Sequence, residues 1–193
     1  MSASEKAGPR RYHRVLSIAG SDSGGGAGIQ ADLKTVSAIG CFGMTVITAL
    51  TAQNTTGVAG IHAVPPAFAA SQLDAIYSDI GADAVKIGML FSAELIRTVA
   101  DTLRMYNLQK IVLDPVMVAQ SGDRLLQAEA IDAVKFELMP LAAVVTPNLP
   151  EAEVLTDAKI NSHEAMFNAA RQMAKIGSQA VLIKAGHLES NDS

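Results

Sequence analysis

The residues best equipped for chemistry crowd into one short run, A-G-S-D-S-G-G-G-A-G, from Ala19 to Gly28. Ser21 and Ser23 supply hydroxyls, Asp22 supplies a carboxylate, and Gly24, Gly25, Gly26 and Gly28 leave the backbone free to approach a ligand. An apolar run, Val15 to Ala19, leads into this segment. Ile29, Leu33, Val36 and Ile39 follow at helical spacing, and Gly40 stands where a helix C-terminus is usually closed. Strand, glycine loop and helix in that order place N–H groups and a helix N-terminus around whatever binds above the strand, which predicts a small-molecule site.

Three familiar glycine loops fail on the residues. A P-loop needs Gly-Lys followed by Ser or Thr, and no lysine lies between Lys6 and Lys34. Gly26, Gly28 and Ala31 satisfy G-x-G-x-x-A, but a dinucleotide fold also wants an acid about twenty residues on, and none occurs between Asp32 and Asp74. A nucleophile elbow needs serine two residues after its first glycine, where this chain has Asp22. Ser21 and Ser23 are therefore expected to be loop hydrogen-bonders.

The elements that must carry the remaining polar residues alternate along the chain. Met44 to Ala52 is a strand running into the polar turn Gln53-Asn54-Thr55-Thr56-Gly57, and Val58 to Val64 is a second. Pro65-Pro66 opens a helix with apolar positions at Phe68, Leu73, Ile76 and Ile80. Ala84 to Met89 is a strand; a helix follows from about Ser92, a candidate N-cap, to Tyr106, with Leu95, Ile96, Val99 and Leu103 on one face. Ile111 to Leu113 is a buried strand stopped by Asp114-Pro115, and a loop with Gly122 leads to Arg124. Ala128 to Leu138 is helical, Ala142 to Val145 a strand, the region around Ala152 a short helix, Ser162 to Ile176 a longer one, and Ala180 to Ile183 the last strand.

Strands alternating with helices predict an α/β fold with a mostly parallel sheet covered on both faces, and such sheets bind ligands beyond the carboxyl ends of their strands. Gly20 to Gly28, Gln53-Asn54, Gly88-Met89, Asp114, Asn148 with Glu151, and Lys184 with His187 all fall there. Composition agrees with one globular domain: 193 residues, 49% hydrophobic and 18% charged. A net charge of −4 and 4% aromatic content argue against nucleic acid, and no apolar stretch is long enough to span a membrane. Cys41 is the single cysteine, so no internal disulfide is expected and a cytoplasmic setting fits; Cys41 itself is expected to be a buried small residue. Residues 1–14, with Lys6, Arg10, Arg11, His13 and Arg14 and no apolar periodicity, read as a flexible basic tail ahead of a domain spanning residues 15–193.

Six ordered motifs then carry a resemblance: A-G-S-D-S-G-G-G-A-G-I-Q-A-D-L-K from Ala19, T-A-Q-N-T from Thr51, K-I-G-M-L from Lys86, V-L-D-P-V-M from Val112, T-P-N-L-P-E-A from Thr146 and K-A-G-H-L from Lys184. The chain resembles the hydroxymethylpyrimidine and phosphomethylpyrimidine kinases of thiamine biosynthesis, in the ribokinase-like superfamily. The resemblance implies a three-layer ribokinase-like fold and ATP-dependent phosphorylation of 4-amino-5-hydroxymethyl-2-methylpyrimidine and of its monophosphate. It implies ATP and Mg²⁺ as cofactors, a small-molecule substrate, neither nucleic acid nor membrane as partner, and room for a homodimer. A pyridoxal or other vitamin kinase of the same superfamily is the nearest rival, and a non-catalytic pyrimidine-binding protein is a second.

By the same resemblance, Asp32 and Gln53 hydrogen-bond the aminopyrimidine, Met89 gives its ring apolar contact, and Gly20 belongs to the substrate side. Asn148 and Lys184 face the nucleotide phosphates, Asp114 lies near phosphates and metal, and Glu151 orders Mg²⁺ and its waters. Each has a plainer reading as well. Asp32 could be an acid near a helix N-terminus, Gln53 a solvated amide, Met89 core filling, Glu151 part of a helix start, Asp114 a turn former and Lys184 an exposed charge closing a strand. Family members have glycine where Ala185 stands, and they continue to a Gly-Thr-Gly-Cys or Gly-Thr-Gly-Asp element. The C-terminal part of the fold, and with it the catalytic group, is therefore expected beyond Ser193, with none inside this chain.

Overall fold

A computed structural model describes residues 11–117 and 128–185. The strands are β1 (Arg14–Asp22), β2 (Phe42–Asn54), β3 (Gly57–Ala63), β4 (Ala84–Ile87), β5 (Ile111–Leu113), β6 (Val144–Val145) and β7 (Ala180–Val181), and they form one seven-stranded sheet in the order β3-β2-β1-β4-β5-β6-β7. Every pairing is parallel except β2 with β3, which form an antiparallel hairpin at one edge. The helices are α1 (Gly28–Ala38), α2 (Pro66–Tyr77), α3 (Ala93–Met105), α4 (Ala128–Ala133), α5 (Leu149–Thr156) and α6 (His163–Ile176), with α4 passing into a π-helical turn over Val134–Leu138.

Alternation along the strands sorts the two faces. Leu16 and Ile18 of β1, Val85 and Ile87 of β4, and Ile111 and Leu113 of β5 join Leu73 of α2 and Leu95, Ile96, Val99 and Leu103 of α3 in one buried cluster. Ser17 and Lys86, one residue out of phase, point to the face that α1 covers. α3 starts where expected, since Ser92 Oγ accepts the Leu95 N–H at 3.2 Å. The Gly40 backbone has φ +76°, as the closing turn of α1 requires.

Several expectations change. Ile39, the residue that caps α1, and Phe68 are exposed, at 70% and 62%, because α1 meets the sheet through Ile29, Leu33 and Val36 and α2 mainly through Ala69 and Leu73. Cys41 is half-buried. The strand expected over Ala142 to Val145 pairs only at Val144–Val145, since a 3₁₀ turn at Met139–Leu141 delays the chain's return to the sheet. Arg14 is the first residue of β1 rather than the end of a tail, and its guanidinium bonds the Asp83 carboxylate at 2.7 Å. The remaining tail residues 1–10, the loop with Gly122 and Arg124, and His187 lie outside the described residues. Ala185 carries no left-handed strain, as Asn107 and Asp157 are the only described non-glycine residues with positive φ.

Candidate active site

The chain leaves β1 toward β2 on one side and later returns to place β4 on the other. That reversal of direction opens a crevice above the carboxyl ends of β1 and β4, the usual ligand position in such sheets. The register between β1 and β2 slips between Ala19 and Ser21, so Gly20 sits at an irregularity beside the crevice. A cleft of about 810 Å³ occupies this place, and Gly20, Asp32, Gln53, Lys86, Met89 and Asp114 are among its walls.

The glycine loop is organised from within. Asp22 Oδ1 accepts the Gly24 N–H at 2.8 Å, and Oδ2 accepts those of Gly26 and Ala27 at 2.9 and 2.8 Å. These amides, expected to face a ligand, hold the chain's own carboxylate instead. Burial pushes the Asp22 carboxyl up, but the N–H groups of Gly24, Ala27, Gly26 and Gly25 together more than offset it, leaving a net downward shift. Only glycine fits at 28, where φ is +56° and an added Cβ would stand 2.3 Å from the Gly20 carbonyl oxygen.

Ser23 ties this loop to the tip of β2. Its hydroxyl donates to the Gln53 carbonyl at 2.6 Å and accepts the Gln53 N–H at 2.8 Å. Thr51 Oγ1, which donates to the Ser21 carbonyl at 2.8 Å, lies 3.2 Å from Gln53 Oε1. The opposite wall is pinned by the fully buried Thr48, whose hydroxyl donates to the Met89 carbonyl at 2.8 Å. The Met89 methyl lies where a Cβ on Gly20 would come within 2.6 Å of it. On the cleft floor, Asp32 accepts from Lys86 Nζ at 2.9 Å on each oxygen and from Ser17 Oγ at 2.6 Å.

A second group of charges lies further along the same rim. Asp114, at the end of β5, accepts from Lys184 Nζ at 2.7 Å, and Lys184 pairs with Asn148 through an isolated parallel bridge beyond β6 and β7. Asn148 and Glu151 form a reciprocal cap on α5: Asn148 Oδ1 accepts the Glu151 N–H at 2.9 Å, and Glu151 Oε2 accepts the Asn148 N–H at 2.8 Å. Glu151 is 2% exposed. Burial pushes its pKa up, and the neighbouring Asp114 charge adds to this; the Asn148 N–H, the Lys184 ammonium and the Met117 N–H act the other way without cancelling it.

The structure thus gathers Gly20, Asp32, Gln53, Met89 and Asp114 in one cleft. Asn148, Glu151 and Lys184 stand beside it, joined through Asp114. The helix-start reading of Glu151 is realised in its cap with Asn148. Asp32 is no first-turn acid, since the first turn of α1 holds none. Ser23 is the loop hydrogen-bonder its sequence position predicts; Thr48 and Lys86 were not singled out from sequence, nor was the closure of the loop on Asp22, and only the loop conformation and the sheet register reveal what they touch.

Residues 22–193 match the family described as phosphomethylpyrimidine kinase. The chain belongs to that family. It is 58% identical, over 93% of its length, to the thiamine biosynthesis bifunctional protein ThiED of Geobacter sulfurreducens, of which it spans 36%. Over the same share it is 48% identical to the hydroxymethylpyrimidine/phosphomethylpyrimidine kinase of Escherichia coli K12, spanning 68% of it. A crystal structure of phosphomethylpyrimidine kinase from Clostridium difficile 630 superposes with a TM-score of 0.87 at 47% identity, covering 92% of this chain and 77% of that one. Pyridoxal kinase from Staphylococcus aureus, solved with AMP-PCP and pyridoxal, superposes with a TM-score of 0.82 at 38% identity, covering 92% and 64%.

In this member of the phosphomethylpyrimidine kinase family the glycine loop depends on the Asp22 charge. Because the folded carboxyl is shifted downward, its contribution to stability is complete above the ordinary carboxylate range and is lost as pH falls through the folded value. Asp22→Ala should therefore lower the denaturation midpoint at pH 7, with the gap to wild type narrowing below about pH 4. Urea titrations at several pH values check this; a gap that widens on acidification contradicts it.

Proposed function

We propose that the protein transfers the γ-phosphoryl group of ATP to the hydroxymethyl group of 4-amino-5-hydroxymethyl-2-methylpyrimidine, and then to the resulting monophosphate. One observation carries the reading: the residues assigned to the ring line a single cleft, and that cleft ends at Asp114, the residue paired with Lys184. Ring and phosphates would then lie end to end along one sheet rim. Asp32 and Gln53 would accept from and donate to the aminopyrimidine edge, and Met89 would cover its face. A cytoplasmic setting and a homodimer belong to the same proposal; among the described residues no helix is long and apolar enough to cross a membrane.

Phosphoryl transfer rests mainly on alignment and on neutralising charge around the moving group. Lys184 would donate to nucleotide phosphate oxygens in exchange for part of its bond to Asp114. Glu151 and Asp114 place two carboxylates around one ammonium, which leaves a negative balance suited to a hard cation. The described residues hold no cluster of three or more His, Cys, Asp or Glu ligands; Mg²⁺ held there would keep most of its water and lean on substrate phosphates. Bound there, Mg²⁺ would supply further charge neutralisation.

Two variants and a choice of ligand test the assignment. Calorimetry should show saturable binding of hydroxymethylpyrimidine, weakened by roughly tenfold or more in Gln53→Leu at an unchanged melting temperature, as expected for loss of a hydrogen bond or two. Tighter binding of pyridoxal than of the pyrimidine would transfer the assignment to a pyridoxal kinase, and pyrimidine binding without nucleotide binding would favour a non-catalytic binder. Glu151 tests the metal end through its sign. An acid whose folded pKa is raised costs stability while ionised, so Glu151→Gln should be as stable as wild type or more so at pH 8, with the gain fading toward pH 4. The same variant should lose Mg²⁺-dependent nucleotide binding; retained binding would remove Glu151 from the metal site.

A further inference from the structure

Lys86 lies on β4, a central strand with neighbours on both sides, and its partly exposed side chain turns along the cleft wall. It crosses the cleft floor to α1, where Nζ stands 2.9 Å from both oxygens of Asp32. Ser17 is its direct register partner on β1 and is 3% exposed; its hydroxyl donates to Asp32 Oδ2 at 2.6 Å. Two adjacent strands thus aim three donor contacts at one carboxylate on the helix above them. Gly88 leaves the space for this: a Cβ there would stand 3.1 Å from the Ala19 methyl and 3.3 Å from Lys86 Nζ.

The contacts are unevenly shared. Oδ2 receives both Ser17 and Lys86, whereas Oδ1 receives Lys86 alone and keeps the freer lone pair. Such charge-assisted bonds fix the plane of a carboxylate. We infer that Lys86 is a positioning residue that, with Ser17, holds Asp32 as a fixed acceptor for the exocyclic amino group of the ring, and so sets the preference for an aminopyrimidine over a ring lacking that group. The inference rests on the pyrimidine reading of the cleft. It assigns Lys86 no contact with phosphate and no part in the transfer step.

A merely structural tether between α1 and the sheet would make a different prediction, and a pair of ligands separates the two. Calorimetry on the full chain would compare 4-amino-5-hydroxymethyl-2-methylpyrimidine with its analogue lacking the 4-amino group, for wild type, Lys86→Met and Asp32→Asn. Lys86→Met keeps the length of the stem and removes the charge. It should weaken the amino ligand by roughly 10- to 100-fold, the span of a charged hydrogen bond, and change the deamino ligand by less than about threefold. In the double variant with Asp32→Asn, Lys86→Met should add little further loss, because both act through one acceptor. Equal losses for the two ligands, or none for either, overturn the positioning role. If Lys86→Met is unfolded by circular dichroism, Ser17→Ala should show the same ligand discrimination in weaker form, and its absence overturns the inference equally. Wild type that binds neither ring would instead refute the pyrimidine reading itself.

Discussion

β1 has a parallel neighbour on each side, and the chain reaches those neighbours by travelling in opposite directions. Loops that leave the carboxyl ends of β1 and β4 must therefore diverge, and no crossover can fill the space between them. Everything in the candidate site follows from that gap. The glycine loop rises on one side and the Gly88-Met89 turn on the other. β2 runs past the end of β1, so that its hairpin with β3 carries Gln53 over the opening.

Within this frame the glycine loop works as a scaffold. Its amides close on Asp22, and Ser23 transmits the resulting shape to the backbone of Gln53 through a reciprocal pair of bonds. The α1 N-terminus is consequently answered by the chain's own anion, since the Ala27 N–H is committed to Asp22. The cation proposed to meet phosphate is Lys184 instead, which is half-exposed and paired with Asp114. The rim therefore divides into a ring end, fixed by β1, β2 and β4, and a charged end, fixed by β5, β6 and β7. This division agrees with the proposed order of ring, hydroxymethyl group and nucleotide phosphates.

Much of this was legible in the residues. The order of strands and helices follows from runs of apolar residues broken by glycine and proline, and the cap at Ser92 follows from a hydroxyl able to bond a free N–H. The helical stripes at Ile39 and Phe68 misled, because periodicity marks a face without saying whether anything packs on it. Asp22 was hidden for a different reason: its partners are backbone amides, which carry no residue signature. Lys86 sits inside a quoted motif, yet its pairing with Asp32 crosses 54 positions and depends on β1 and β4 being neighbours, a fact of topology. Likewise Thr48 of β2 meets the Met89 carbonyl beyond β4 across β1, where the strand register slips at Gly20.

The account stands on the ring entering the crevice between β1 and β4. Amide spectra of nitrogen-labelled protein, titrated with hydroxymethylpyrimidine, test this most directly. Shifts should concentrate at Gly20, Gln53, Gly88 and Met89, with the amides of α6 unmoved. Shifts centred on α6, or saturation of the protein with the Gln53 and Met89 amides unchanged, would contradict it.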